Sequence, residues 1–155
     1  MRGFTVIELL IVIAILLVLA SAATPFYGNF QVSGQLNENT SQIIQTLRTA
    51  REQNLARMNN TQHGVYFEIN AGADDRYILY QGTSYALRDT AYDRATTLDN
   101  PLSFSVNLVG DGDANDINFS LGLGSSNKIG TIILTHEVSG TRQISINTKG
   151  MVEEL

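Results

Sequence analysis

One carboxylate stands where a charge is costly. Between Phe4 and Ala23 there are twenty residues and a single charge, Glu8. A carboxylate inside a membrane helix costs about 2.5–3.5 kcal/mol on insertion scales, so one that is kept there marks a function. A second oxygen-rich group is Asp111-Gly112-Asp113-Ala114-Asn115-Asp116. Calcium takes about six to eight oxygens, and alternate acidic positions converge on it in a calcium loop. Asp111, Asp113, Asn115 and Asp116 are the weak calcium candidates. The loop template fails twice, with Asp116 where glycine is needed and Gly122 where the bidentate glutamate belongs. Asp and Asn also favour turns without a metal. A solvated turn is therefore expected, and no cofactor is assigned.

The remaining polar residues form no reaction centre. With no cysteine and two histidines, thiolate chemistry is excluded and a zinc site is improbable. His63 and His136 have no partner pattern. His136 alternates with Ile132 and Leu134, which suggests a sheet edge. Asp74-Asp75 reads as a turn. There is no Gly-x-Ser-x-Gly elbow, and no P-loop or dinucleotide fingerprint in a strand–helix context; Gly122 to Ser126 reads as a loop. Tyr77, Tyr80, Tyr85 and Tyr92 are candidates for an adhesive surface. The chain is not expected to be an enzyme. Net charge is −5, the ten Lys and Arg are scattered, and the end reads Glu153-Glu154-Leu155. Nucleic acid is thus an unlikely partner, because its affinity comes largely from clustered cations.

The elements that carry these residues fall into two kinds. The run Phe4 to Ala23 is apolar all round, which reads as a membrane segment. At about 1.5 Å per residue its twenty residues span roughly 30 Å, the hydrocarbon thickness of a bilayer. Three readings fit such a run: a plain signal anchor, a secretory signal cut near Ala20-Ser21-Ala22, and a leader cut before the run. Glu8 separates them, since neither of the first two needs it. Pro25 predicts a kink. An amphipathic stripe then follows at Leu36, Ile43, Leu47, Ala50 and Leu55, widened by Ile44 and Met58, so a broken helix is expected from about Thr5 to about Met58. Beyond Asn60 the pattern is that of strands: 64–69, 77–80, 102–108, 117–121, 131–138, 142–148 and 151–152. Ser139-Gly140 marks a hairpin turn. The fold class is α+β, a long N-terminal helix packed on a mainly antiparallel sheet head.

The N-terminus also carries a resemblance. Gly3-Phe4-Thr5-Val6-Ile7-Glu8-Leu9-Leu10, followed by Ile11-Val12-Ile13-Ala14-Ile15, resembles the start of type IV pilins and type II secretion pseudopilins. The resemblance implies cleavage between Gly3 and Phe4 by a membrane peptidase, N-methylation of Phe4, and an assembly role for Glu8. Arg2 is the one basic residue of the leader, consistent with a cytoplasmic start. Cleavage creates an amine with a reference pKa of about 7.7–8.0. In an apolar bundle that cation and the Glu8 anion of a neighbouring subunit are each costly alone, and pairing offsets the cost. Four segments are expected: a leader 1–3, a filament-core helix 4–24, its amphipathic continuation 25–60, and a head 61–155.

The head is similar, more loosely, to the GspH/FimT minor pilins. The likeness rests on the order of a basic-tinged helix end from Arg48 to Asn59, Ile117-Asn118-Phe119, Gly130 to Leu134, and Ile144 to Val152. Some members bind DNA through arginines near the C-terminal end; Met151 to Leu155 lacks them. The implied role is a minor pilin or pseudopilin, with a major pilin or a membrane-anchored binding module as alternatives. The implied partners are other subunits, prepilin peptidase, an inner-membrane assembly platform and membrane lipid. The implied location is the bacterial inner membrane, then an extracellular pilus or a periplasmic pseudopilus.

Overall fold

The computed structural model describes residues 3–71, 73–98 and 101–155, the side chains of 22–31 excepted. The chain divides into two compact units, Met1–Gly34 and Gln35–Leu155. Helix α1 (Val6–Leu55) begins in the first and ends in the second. In the first unit every large apolar side chain from Phe4 to Leu19 is exposed, so the helix is apolar on all its faces. Among the described residues no helix is long and apolar enough to cross a membrane. The expected span, 4–24, runs into side chains outside the described residues, as does the kink expected near Pro25.

In the second unit α1 buries Leu36, Thr40, Ile43, Leu47, Ala50 and Asn54. Their alternating steps of four and three residues trace one face of a helix. Two of the six are polar and both are satisfied. The Thr40 hydroxyl donates to Leu36 O at 2.7 Å. Asn54 Nδ2 donates to Ala50 O and to His63 O, each at 2.8 Å, while its Oδ1 accepts the His63 N–H at 3.0 Å. Leu55 and Met58, expected on the stripe, are 42% and 47% exposed instead. The buried face passes through Asn54, and the helix stops at Leu55. Arg57 then turns left-handed (φ 50°), leading into a 3-10 turn at Met58–Asn60.

Among the described residues eight strands follow: β1 (His63–Glu68), β2 (Arg76–Gln81), β3 (Asp89–Thr97), β4 (Leu102–Gly110), β5 (Asp116–Phe119), β6 (Lys128–His136), β7 (Gly140–Ile146) and β8 (Val152–Glu154). They form two four-stranded sheets, ordered β3-β2-β1-β5 and β4-β6-β7-β8, with antiparallel pairing throughout. One core serves both sheets and the second part of α1. Phe67 of β1 meets Phe104 of β4 edge-on, with centroids 5.3 Å apart, and Tyr77 of β2 joins them. Asp75 ties the sheets together as well. Its Oδ1 accepts the Asn70 N–H and its Oδ2 the Phe104 N–H of β4, both at 2.8 Å. Asp74-Asp75 therefore holds a turn, as expected, and the second carboxylate is a buried backbone acceptor.

His136 closes the β6–β7 hairpin, where Gly140 has φ 88°. Its Nδ1 accepts the N–H groups of Val138 and Ser139 at 3.1 and 3.3 Å. The residue does alternate inward with Ile132 and Leu134. It ends an interior strand, however, rather than lying on the expected sheet edge, because β4 and β7 flank β6.

Candidate functional site

The start of α1 shows what holds Glu8. The sequence Thr5-Val6-Ile7-Glu8 places a threonine at the position before the first helical residue and a glutamate three places on. That is the pattern of a capping box. The Thr5 N–H and hydroxyl both donate to Glu8 Oε2, at 3.0 and 2.8 Å. The Glu8 N–H donates back to Thr5 Oγ1 at 3.3 Å. The box satisfies donors that a helix start leaves without partners. It also places negative charge in the first turn, where the helix dipole favours it. Glu8 itself is exposed at the helix start. Thr5 was missed as a functional residue, although its spacing from Glu8 was a sufficient signal.

Around this end the surface is unbroken hydrocarbon. Phe4 is 84% exposed, and the apolar side chains through Leu19 are exposed with it. Surface of this kind requires a bilayer or other helices to cover it.

Residues 1–24 match the family model of the prokaryotic N-terminal methylation motif. The match supports a place in the type IV pilin and pseudopilin family. No curated protein and no solved structure matches the chain. The family match therefore covers the first residues and does not extend to the head.

The four calcium candidates do not converge. Asp113 Oδ1 accepts the Asn115 N–H at 2.9 Å in a local turn. Asp116 is buried on β5, where its Oδ1 accepts the Tyr80 hydroxyl and its Oδ2 the Tyr85 N–H. Burial pushes the Asp116 carboxyl upward, and the bonds from Tyr80 and Tyr85 pull against that. Among the described residues no three carboxylate or imidazole groups gather as a metal set.

A cation is present in the loop all the same, and it belongs to the protein. Lys128 is 2% exposed, and its ammonium donates to Gly110 O at 3.0 Å and Gly112 O at 3.1 Å. It also favours the charged form of Asp116. Hydrogen bonds to a charged group each contribute about 1.5–3 kcal/mol. Lys128→Met is accordingly expected to destabilise the head by about 2 kcal/mol. Millimolar calcium is expected to leave the melting temperature of the parent protein unchanged. Calorimetry with and without calcium checks both; a calcium-dependent rise would return the loop to metal binding.

The tyrosines do not make one surface. Tyr77 and Tyr80 are buried, and only Tyr92 of the four is largely exposed. Tyr85 stacks on Tyr66 with centroids 3.8 Å apart, and the Arg88 guanidinium lies 3.7 Å from the Tyr85 centroid. At the C-terminal end Arg142 is engaged by Asn37 and Glu154, and Arg48 donates to Val152 O.

Proposed function

We propose that the chain is a structural subunit, a minor pilin or pseudopilin, of a type IV pilus or a type II secretion pseudopilus. Prepilin peptidase cuts between Gly3 and Phe4, and the new Phe4 amine is methylated. Before assembly, residues 4–24 cross the bacterial inner membrane with the N-terminus cytoplasmic. An assembly platform then moves the subunit into the filament, where Glu8 pairs with the terminal amine of a neighbour. The chain is substrate and building block in this scheme, and does no chemistry of its own. No nucleic-acid partner is proposed, since the ten Lys and Arg are scattered and net charge is −5.

The observation that carries this reading is the methylation motif at residues 1–24, set on a helix that is apolar on every face from Phe4 to Leu19. The minor role rests on the resemblance of the head alone. The test is intact mass and N-terminal analysis of the protein from sheared filaments. The expected start is Phe4 bearing one methyl group, and the expected share of filament protein is small. A start near Ala23 or Thr24 overturns the reading, and a dominant share replaces minor with major.

A further inference from the structure

The two sheets have four outer strands, β3, β5, β4 and β8. Such a strand offers backbone N–H and C=O groups to any extended chain that reaches it. Three of the four are sealed, short or charged. β5 is sealed by Asn127, whose Oδ1 accepts the Asn118 N–H at 2.8 Å and whose N–H donates to Asn118 O at 3.0 Å. β8 is three residues long, two of them glutamates. β3 bears Asp89, Asp93 and Arg94. β4 differs from all of them. Its nine residues carry no charge. It keeps one register on β6, from Leu102 opposite His136 to Gly110 opposite Lys128, without a shift.

One bond gives the direction of its free groups. The Phe104 N–H donates to Asp75 Oδ2 at 2.8 Å, on the side away from β6. In an antiparallel strand alternate residues turn their N–H and C=O to the same side, so Val106 and Leu108 turn theirs away from β6 too. Burial agrees. Leu102 and Phe104, beside the turn that carries Asp75, are 7% and 6% exposed. Val106 and Leu108 face the same core but are only partly buried, whereas Ile132, the cross-strand partner of Val106, is fully buried. The uncovered side of β4 is thus its outer edge at Val106 and Leu108.

Charge selects what fits there. Carboxylates stand at both ends of the open stretch. Asp74 and Glu137 line a cavity of about 560 Å³ with Ser103 at one end, and Asp111 and Asp113 follow Gly110 at the other; all four are exposed. The nearby cation, Lys128, is buried and held by the Gly110 and Gly112 carbonyls. A second copy of β4 would bring the same carboxylates to both ends, and like charges brought opposite each other are destabilising. A segment with Lys or Arg at each end and an uncharged middle is attracted instead. Between Ser103 and Asp111 a strand runs roughly 26 Å at about 3.3 Å per residue, which sets the spacing of the two basic ends.

We propose that the free edge of β4 accepts an extended, basic-ended segment of a partner protein as an added strand, hydrogen-bonded to the backbone of Val106 and Leu108. The test uses the full chain in zwitterionic detergent and synthetic peptides of about ten residues, ~33 Å when extended. They share a middle of alternating Thr and Val, and end in Lys or in Glu. Amide exchange of Val106 and Leu108 is followed by NMR. The Lys-ended peptide is expected to slow both amides saturably, by about tenfold or more, and to bind about tenfold more tightly than the Glu-ended one. Asp111→Asn combined with Asp113→Asn, in an exposed turn, is expected to reduce that preference several-fold. N-methylation of the peptide backbone throughout its middle is expected to abolish binding. Exchange of Val106 and Leu108 unchanged at the highest soluble peptide concentration overturns the proposal. So does equal affinity for the two peptides, or binding that survives N-methylation. Slowing of the same amides by protein concentration alone overturns it as well, since a second copy would then occupy the edge.

Discussion

Glu8→Gln is expected to insert in the membrane and to be cleaved as the parent chain is, yet to enter filaments about a hundredfold less. The substitution separates two roles that Glu8→Ala confounds. Glutamine at the third helical position closes the same box with Thr5, so the helix start is preserved. The negative charge is lost. If Glu8 serves only its own helix, its removal costs about 1 kcal/mol and glutamine restores it. If it meets the amine of a neighbouring subunit in an apolar bundle, the amine is left as a buried charge without a partner. That costs about 3–5 kcal/mol, and each 1.4 kcal/mol is a factor of ten. Glu8→Ala is expected to fail as badly as Glu8→Gln, whereas Thr5→Val, which removes the hydroxyl of the box and keeps the anion, is expected to lose only a few-fold. Immunoblots of sheared filaments against membrane fractions measure the ratio. Incorporation of Glu8→Gln at the parent level would assign Glu8 to capping and remove it from assembly.

The second large effect lies in the head. Gly64→Ala is expected to destabilise it by about 3 kcal/mol, since forcing extra volume into a packed core costs about 1–3 kcal/mol and occasionally more. A methyl at Gly64 falls 2.5 Å from Tyr80 Oη and 2.6 Å from Ile117 O. Neither gives way cheaply. Tyr80 is buried, with its hydroxyl donating to Asp116 and accepting from Asn118 Nδ2 at 2.9 Å. Ile117 O belongs to β5, which is locked in register on β1 with Val65 opposite Ile117. Against a total stability of about 5–15 kcal/mol, that loss is large. Adding Tyr80→Phe is expected to recover none of it, because the ring Cζ and Ile117 O both stay 2.6 Å from the methyl and the buried Asp116 loses its hydroxyl donor. Gly34→Ala is the control: nothing lies within 4 Å of its new methyl, and a helical alanine is expected to gain about 0.5–1 kcal/mol. Chemical denaturation of the four proteins decides. A Gly64→Ala variant as stable as the parent would mean that β1 and β5 separate more easily than their pairing implies.

Much of this was legible in the residues. Periodicity of 3.6 exposed Leu36, Ile43, Leu47 and Ala50 as a buried face, and alternation exposed β4, because core helices and half-buried strands write their burial into apolar spacing. The failures occur where polar residues do the work of apolar ones. Asn54 is as buried as Leu47, but by clamping the backbone of His63 rather than by being apolar, so the reading slid to Leu55. Lys128 is one of the scattered basic residues in the sequence, and only the fold brings its ammonium to the Gly110 and Gly112 carbonyls. β3 was missed altogether, because Asp89 to Thr97 is mostly exposed and has no inward face to announce. At the candidate site Glu8 was evident from charge alone. Its partner Thr5 was expected as the first residue of the helix, whereas it is the cap before it.

The unannounced strand carries a consequence for packing at scale. β3 is an outer strand of its sheet, and such an edge presents free backbone groups to any passing chain. In the filament proposed above, heads would be held beside one another at high effective concentration, the condition under which a weak edge-to-edge affinity becomes permanent. β3 meets it with Asp89, Asp93 and Arg94 along its length and an Arg88–Asp93 ion pair of 2.8 Å at its start. A strand too polar to be recognised in sequence is also one whose charges blunt edge-to-edge pairing, so in such a filament neighbouring heads would stay separate beads rather than one continuous ribbon.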